Sequence, residues 1–344
     1  MRTGSVDPAR LFKEFSPQAG DLDAGRRDVR DGIHWLGRQG FLRSPDATAA
    51  RAPLPYLVSL VRALAAASLS TAFSVWSQCM VLEYLTLSEP TSETEPLLEA
   101  LRSGRVMGAT ALAPAIPAVG DSAPLPVSAE LSGGGYLLKG TIGWASNLFD
   151  SAVVVTPADT AEGRIVAVFR LASPGVQVAA PAPLLALNGT GSSSVTLDGV
   201  RVAEAAVLSW DLPGFLAACR PTMLLLQTAL AVGVTDACLA AIGADSRVPP
   251  HCPELDGRHQ RVAATLSGYA EAPGSAGPGG LAQLRVDAMS VAHAAAGLEM
   301  AAGGGKAFQA GSASSRRVRE AAFLPVQAPT LEHLRREIAR TASA

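Results

Sequence analysis

Gly134-Gly135-Tyr136-Leu137-Leu138-Lys139-Gly140-Thr141-Ile142-Gly143-Trp144-Ala145-Ser146-Asn147 is the stretch on which the reading of this chain turns. Its glycine pair makes a turn, and the run that follows alternates as a half-buried strand does. The strand closes on a tryptophan trailed by a small hydroxyl and an amide side chain. A tryptophan at a strand end packs a core or an interface, or it supplies a flat apolar face with a polar edge close by.

Around this strand the texture of the sequence changes twice. From Pro8 to Arg105 the period is helical, with Leu54, Leu57, Val58, Val61, Leu64 and Ala65 at intervals of three and four. From Val106 the period drops to two. Short β-type runs cover Val127–Leu131, Tyr136–Gly140, Ser151–Val155, Arg164–Phe169 and Ser194–Leu197, separated by turn residues such as Pro174-Gly175 and Asn188-Gly189. After Pro213 helical stretches return at Gly214–Gly243, Gly257–Ala272, Leu281–Gln309 and Thr330–Ser343. The pattern predicts an α+β chain in three parts: an N-terminal α-helical domain over 1–105, a central antiparallel β-barrel or sandwich over 106–210, and a C-terminal four-helix bundle over 211–344.

Composition excludes several function classes. The 344 residues carry 28 Lys+Arg against 30 Asp+Glu, a formal net charge of -2, which gives no basic footprint for nucleic acid or an anionic membrane. Hydrophobic residues make up 48% and charged residues 17%, too apolar for a disordered chain. The N-terminal residues alternate charged and apolar, unlike a signal peptide, and the apolar run Leu54–Leu85 is interrupted by Arg62 and Glu83. The expectation is a cytoplasmic protein without a membrane partner. Cys79, Cys219, Cys238 and Cys252 lie far apart with no C-x-x-C spacing, so neither a metal site nor a disulfide framework is expected, and His251-Cys252 reads as a loop feature.

Familiar motifs fail one by one. Gly189-Thr190-Gly191 is followed by a strand, which leaves no helix N-terminus for a pyrophosphate, so a dinucleotide fingerprint is excluded. Gly303-Gly304-Gly305-Lys306 lacks the leading glycine and the trailing Ser or Thr of a phosphate loop. No Gly-x-Ser-x-Gly elbow and no His-Glu-x-x-His is present.

The strand Gly134–Asn147, together with the α–β–α order, resembles the acyl-CoA dehydrogenase superfamily, and the resemblance spans about Leu36 to Arg340. It implies FAD as cofactor, with FMN or reduced flavin as variants. Trp144 would cover the flavin ring, with Ser146 near flavin N5, Asn147 beside it, and Thr110 at the pyrimidine edge. A flat electron-accepting ring needs such an apolar face and a polar group near the atom that takes up charge. Thr190-Gly191-Ser192 falls where the family contacts the pyrophosphate, and it reads equally as a solvated hairpin. Arg220-Pro221 resembles the opening of the first C-terminal helix, and His259-Gln260 the second. The resemblance carries cofactor contact to Arg247, Gln260 and Gly304 as well. It also implies a homodimer or homotetramer and a small-molecule substrate, such as acyl-CoA or a carrier-bound acyl group.

The departures are as informative as the matches. The family's catalytic glutamate falls on Ala328, and its alternative position at the start of the first C-terminal helix falls on Cys219, so no catalytic residue is assigned. The acidic residue after Thr110 is missing, as is the Phe-Gly of the arm that begins at Arg247. His333 stands among Glu332, Arg335 and Arg336, the setting of a solvated histidine. Three functions stay open: a flavin oxidoreductase with a rebuilt active site, a two-component monooxygenase using reduced flavin, and a non-catalytic member that binds or assembles with a partner.

Overall fold

The computed structural model describes residues 6–117, 123–244, 253–277 and 279–342. The elements follow the order helices, sheet, helices. Among the described residues the first helices are α1 (Pro8–Phe15), α2 (Ala19–Asp23), α3 (Arg30–Arg38), α4 (Leu54–Ala67), α5 (Leu69–Leu87) and α6 (Glu95–Arg102). The spacing read in α4 works as expected, placing Leu57, Val58, Val61, Leu64 and Ala65 in the core. Helix α5 is buried on nearly every side, as befits a helix whose apolar residues run all the way round. The Ser68 hydroxyl starts it by accepting the Thr71 N–H.

Among the described residues the strands are β1 (Gly108–Thr110), β2 (Val127–Leu131), β3 (Gly135–Ala145), β4 (Val153–Thr160), β5 (Gly163–Arg170), β6 (Val176–Val178), β7 (Ser193–Ala203) and β8 (Val207–Ser209). They form one sheet in the order β6-β7-β3-β2-β4-β5-β8, with β1 beside β4. The five runs expected from alternation become β2, β3, β4, β5 and β7. The sheet is mixed where an antiparallel one was expected: β1 runs parallel to β4, and β2 touches β4 in parallel at Ser128 and Asp159. Three-residue strands such as β1, β6 and β8 are too short to show alternation, so their direction is set by what they dock against.

After the sheet come α7 (Leu212–Ala244), α8 (Pro253–Glu271), α9 (Gly280–Ala307), α10 (Ala313–Phe323) and α11 (Leu331–Ala342). Helix α10 adds to the four expected stretches. Its sequence is rich in Ser and Arg and shows little apolar period, but the Ser312 side chain caps it by accepting the Ser315 N–H. Within α7, Leu212–Gly243 is long and apolar enough to cross a membrane by length and composition, and 72% of its most apolar window is buried inside the protein.

Helices α4 and α7 meet backbone to side chain. A Cβ on Gly233 would lie 2.3 Å from the Arg62 carbonyl oxygen and 2.7 Å from Ala65 Cβ. Beside this contact Arg62 forks onto Asp236 at 2.6 and 2.9 Å, and His259 Nε2 from α8 meets the same carboxylate at 2.7 Å. Gly233→Ala overpacks the contact and is expected to destabilise the fold by about 1–3 kcal/mol. Thermal denaturation reads this as a lowered midpoint. A wild-type midpoint would show that the helices do not approach so closely.

Candidate functional site

Buried polar groups of α5 fix the first wall of the site. Gln78 donates its amide to the Leu101 and Val106 carbonyls, both at 2.9 Å, and accepts the Gly108 N–H at 2.7 Å. Ser77 donates to the Gly108 carbonyl at 2.8 Å and accepts the Thr110 N–H at 3.3 Å. Asn147 adds its amide, donating to the Ser74 and Gly108 carbonyls at 3.0 Å each. Strand β1 is thereby pinned along α5, and Thr110 sits where its hydroxyl shares a 3.0 Å hydrogen bond with that of Tyr84.

The second wall comes from β3. Ile142 pairs with Val195, but Ala145 pairs with Ser193, so β3 holds one residue more than β7 over this span. The bulge falls at Gly143-Trp144 and re-aims the indole, which is 50% exposed and lines the cavity. Beyond it the chain turns back. Asn147 and Leu148 donate their N–H groups to the Thr190 and Gly191 carbonyls at 2.8 and 3.0 Å. Gly191 is held at φ 59°, where a Cβ would strike the Phe149 ring at 2.8 Å, so a side chain is barred twice over.

This pairing lines up three hydroxyls. Thr190 donates to the Leu187 carbonyl at 2.8 Å, Thr190 and Ser192 are 2.7 Å apart, and Ser192 and Ser146 are 2.6 Å apart. Each hydroxyl has one proton, so the donors run Ser146 to Ser192 to Thr190 to Leu187. Ser146 is left offering lone pairs.

Trp144, Ser146, Thr110, Thr190 and Ser192 line one cavity of about 520 Å³. Facing them are Phe73, Trp76 and Tyr84 of α5, Leu216, Cys219 and Met223 of α7, and the segment through Phe323, Val326, Gln327 and Ala328. The two positions at which a base was sought, Cys219 and Ala328, thus reach the same cavity from separate parts of the chain. Phe73, Trp76 and Ser77, spaced three and one apart on α5, were not singled out from the sequence, because nothing local ties them to Trp144.

Other expected site residues lie elsewhere. Asn147 is fully buried and outside the cavity lining, where it acts as the strap between α5, β1 and β3. Gln260 is exposed on α8, and Gly304 is exposed where α9 breaks with φ 56° and ψ -143°. Neither lines the cavity. Arg247 lies outside the described residues. His333 hydrogen-bonds Thr330 at 2.9 Å at the start of α11 and stays away from the site.

Arg319 is the only charged side chain among the described lining residues. Its guanidinium meets Asp23 at 2.5 Å, and Asp23 also accepts the Leu187 N–H at 3.0 Å. A second arginine works from behind the wall. Arg285 is 1% exposed and ends on carbonyls, those of Pro329 at 2.6 Å, Gln327 at 2.8 Å and Leu324 at 3.4 Å. Burial, helped by the charge of Arg220, pulls it down to about 9. Gln227 adds a bond to the Ala328 carbonyl at 2.9 Å, so the segment from Leu324 to Pro329 is clamped through its main chain.

Nothing on the described lining is placed to take a proton near neutral pH. Burial pushes the Cys219 thiol up to about 12, with the charge of Glu83 adding to it, and burial raises the Tyr84 phenol well above its usual value. Glu83 itself is buried behind the wall, raised by desolvation and tied to Arg51 and to Thr222.

No family model matches the chain, and no curated protein matches it by sequence. Solved structures do match. The butyryl-CoA dehydrogenase of Megasphaera elsdenii superposes with a TM-score of 0.86 at 15% identity, covering 100% of this chain and 100% of its own. The acyl-CoA dehydrogenase of Geobacillus kaustophilus gives 0.86 at 16%, covering 98% and 96%. PigA, solved with FAD and proline, gives 0.81 at 14%, covering 98% of both. The chain has the acyl-CoA dehydrogenase fold.

A thiol held at about 12 is almost wholly protonated at pH 8. Iodoacetamide is therefore expected to alkylate Cys219 in the native protein at least about 100-fold slower than a free cysteine. Mass spectrometry of the Cys219 peptide over time checks this. Labelling at the free rate would return Cys219 as a candidate base.

Proposed function

We propose that the protein is a flavin-dependent oxidoreductase that holds FAD in the cavity between β3 and α5 and acts there on a small hydrophobic substrate, such as an acyl thioester of CoA or of a carrier. The observation that carries this reading is the convergence of Trp144, Ser146 and Thr110 on the cavity that Cys219 and Ala328 also reach. The residues fit a flavin ring: a half-exposed indole gives an apolar plane, and a row of hydroxyls gives polar contacts along one edge. Bound flavin would supply a two-electron acceptor.

The chain's own part is to bind, to orient and to exclude water. Phe73, Met223, Leu216 and Phe323 make an apolar seat, and Arg285 keeps the segment beneath it in place. With Ala328 and a protonated Cys219 at the base positions, the described wall offers no base for a substrate carbon, which speaks against the α,β-dehydrogenation of a plain acyl chain. Assembly as a homodimer or homotetramer belongs to the same reading, with the exposed Gln260 and Gly304 available to a neighbouring copy.

A second reading, a monooxygenase fed with reduced flavin, is favoured by the direction of the hydroxyl row. Ser146 offers lone pairs, and the N5–H that flavin carries only once reduced would be a matching donor.

The absorption spectrum of the purified protein, repeated after soaking in FAD and desalting, tests the first reading. A retained visible flavin band is expected, with Trp144→Ala loosening retention by about tenfold. Anaerobic loss of the band on adding substrate alone marks an oxidoreductase of the first kind. Uptake of reduced flavin only marks the second, and refusal of both forms removes the flavin reading.

A further inference from the structure

The hydroxyl protons on the described lining of the cavity can be counted. Six residues there carry a hydroxyl: Ser77, Tyr84, Thr110, Ser146, Thr190 and Ser192. Ser77 gives its proton to the Gly108 carbonyl, and the protons of Ser146, Ser192 and Thr190 run along their row to the Leu187 carbonyl. Tyr84 and Thr110 are left with two protons and a single bond between them, at 3.0 Å. One of those two protons therefore has no acceptor among the described residues.

Burial decides which one. Tyr84 is 1% exposed, with its ring against Phe215 of α7 at a centroid distance of 5.6 Å. Thr110 is partly exposed and lines the cavity from the end of β1, where Ser77 holds its N–H at 3.3 Å. A spare proton on Tyr84 would be shut in without a partner, at the full cost of its desolvation, whereas on Thr110 it is open to the cavity. The phenol is also the more acidic hydroxyl and so the better donor. Tyr84 therefore donates, Thr110 accepts, and the Thr110 proton is turned to the cavity.

We infer that Tyr84 is a positioning residue, which makes Thr110 a hydrogen-bond donor to a bound flavin ring and so biases the site toward the reduced cofactor. This deepens the proposed function and rests on FAD lying in this cavity. A donor fixed in direction needs an atom that accepts in both redox states. On a flavin ring those atoms are the two carbonyl oxygens and N1, which gain negative charge on reduction, whereas N5 turns from an acceptor into an N–H. A hydrogen bond to an atom that gains charge is stronger in the reduced state. Ser146, which offers only lone pairs, adds to the same bias. Without the phenol the Thr110 hydroxyl is free to turn, and its proton is no longer aimed.

The reduction potential of FAD bound to the full-length protein, measured against a reference dye under argon, tests this. Its shift from free FAD gives the ratio of affinities for the reduced and oxidised forms. Wild type is expected to hold reduced FAD at least about tenfold tighter, a rise of about 30 mV for a two-electron couple. Tyr84→Phe keeps the ring and its contact with Phe215, and is expected to cut that ratio by about fivefold, or about 20 mV. Thr110→Val is expected to cut it by about tenfold, and Thr110→Ser to keep it. The double variant Tyr84→Phe/Thr110→Val is expected to match Thr110→Val alone, because Tyr84 acts only through Thr110. A merely structural tyrosine would weaken both forms of flavin equally and leave the ratio unmoved. That result, a wild-type potential at or below that of free FAD, or a Tyr84→Phe loss that adds in full to that of Thr110→Val, overturns this inference alone. Refusal of both flavin forms overturns the flavin reading and this inference with it.

Discussion

The polar stripe of α5 is the constraint on which the site depends. Ser77 and Gln78 are among the polar residues buried in a helix that is mostly apolar, and such groups are costly unless each finds a partner. Ser77 and Gln78 find theirs at Gly108 and Thr110 of β1 and at the Leu101 and Val106 carbonyls, and Asn147 completes the arrangement by donating to the main-chain carbonyls of Ser74 and Gly108. A helix, a three-residue strand and the end of β3 are therefore locked together by a few hydrogen bonds. The positions of Thr110 and Ser146 in the cavity follow from that lock, not from β-ladder pairing, which is sparse around β1.

Electrostatics around the cavity points away from proton transfer by side chains. The ionisable groups near it are either paired, as Arg319 and Asp23 are, or driven by burial into their neutral forms, as Cys219 and Tyr84 are. Glu83, which sits behind the wall with Arg51 and Thr222, is raised rather than lowered even with a cation beside it, so desolvation outweighs the pairing there. Apart from Arg319, held by Asp23, the polar groups on the described lining are neutral hydroxyl, indole and amide groups. Such groups select by hydrogen-bond pattern and tolerate little mismatch.

Much of this was legible in the sequence. The change of period at Val106 and its reversal after Pro213 gave the order of layers, and the strand ending at Trp144 led to three residues of the cavity wall. The role of Asn147 was not legible, because its partners Ser74 and Gly108 are far away in the chain and it binds them through backbone carbonyls, which leave no mark on residue type. Parallel pairing of β1 and β4 was missed for the same reason: the short strand takes its direction from α5. The parts of Gln327 and Arg285 were also hidden, since an amide and an arginine in helical or loop stretches read as surface residues until burial is known.

The clamp on the segment Leu324–Pro329 has a consequence for how such a wall changes over generations. Arg285 and Gln227 grip carbonyl oxygens, which every amino acid has, and their hydrogen bonds to the segment go to its main chain. Val326, Gln327 and Ala328 are therefore interchangeable inserts in a socket whose shape is held from behind. Replacing a carboxylate by a methyl group here, or an apolar residue by an amide, alters the chemistry presented to the cavity without redrawing the path of the chain. The fold can shed one reaction and acquire another at this wall at little cost in stability.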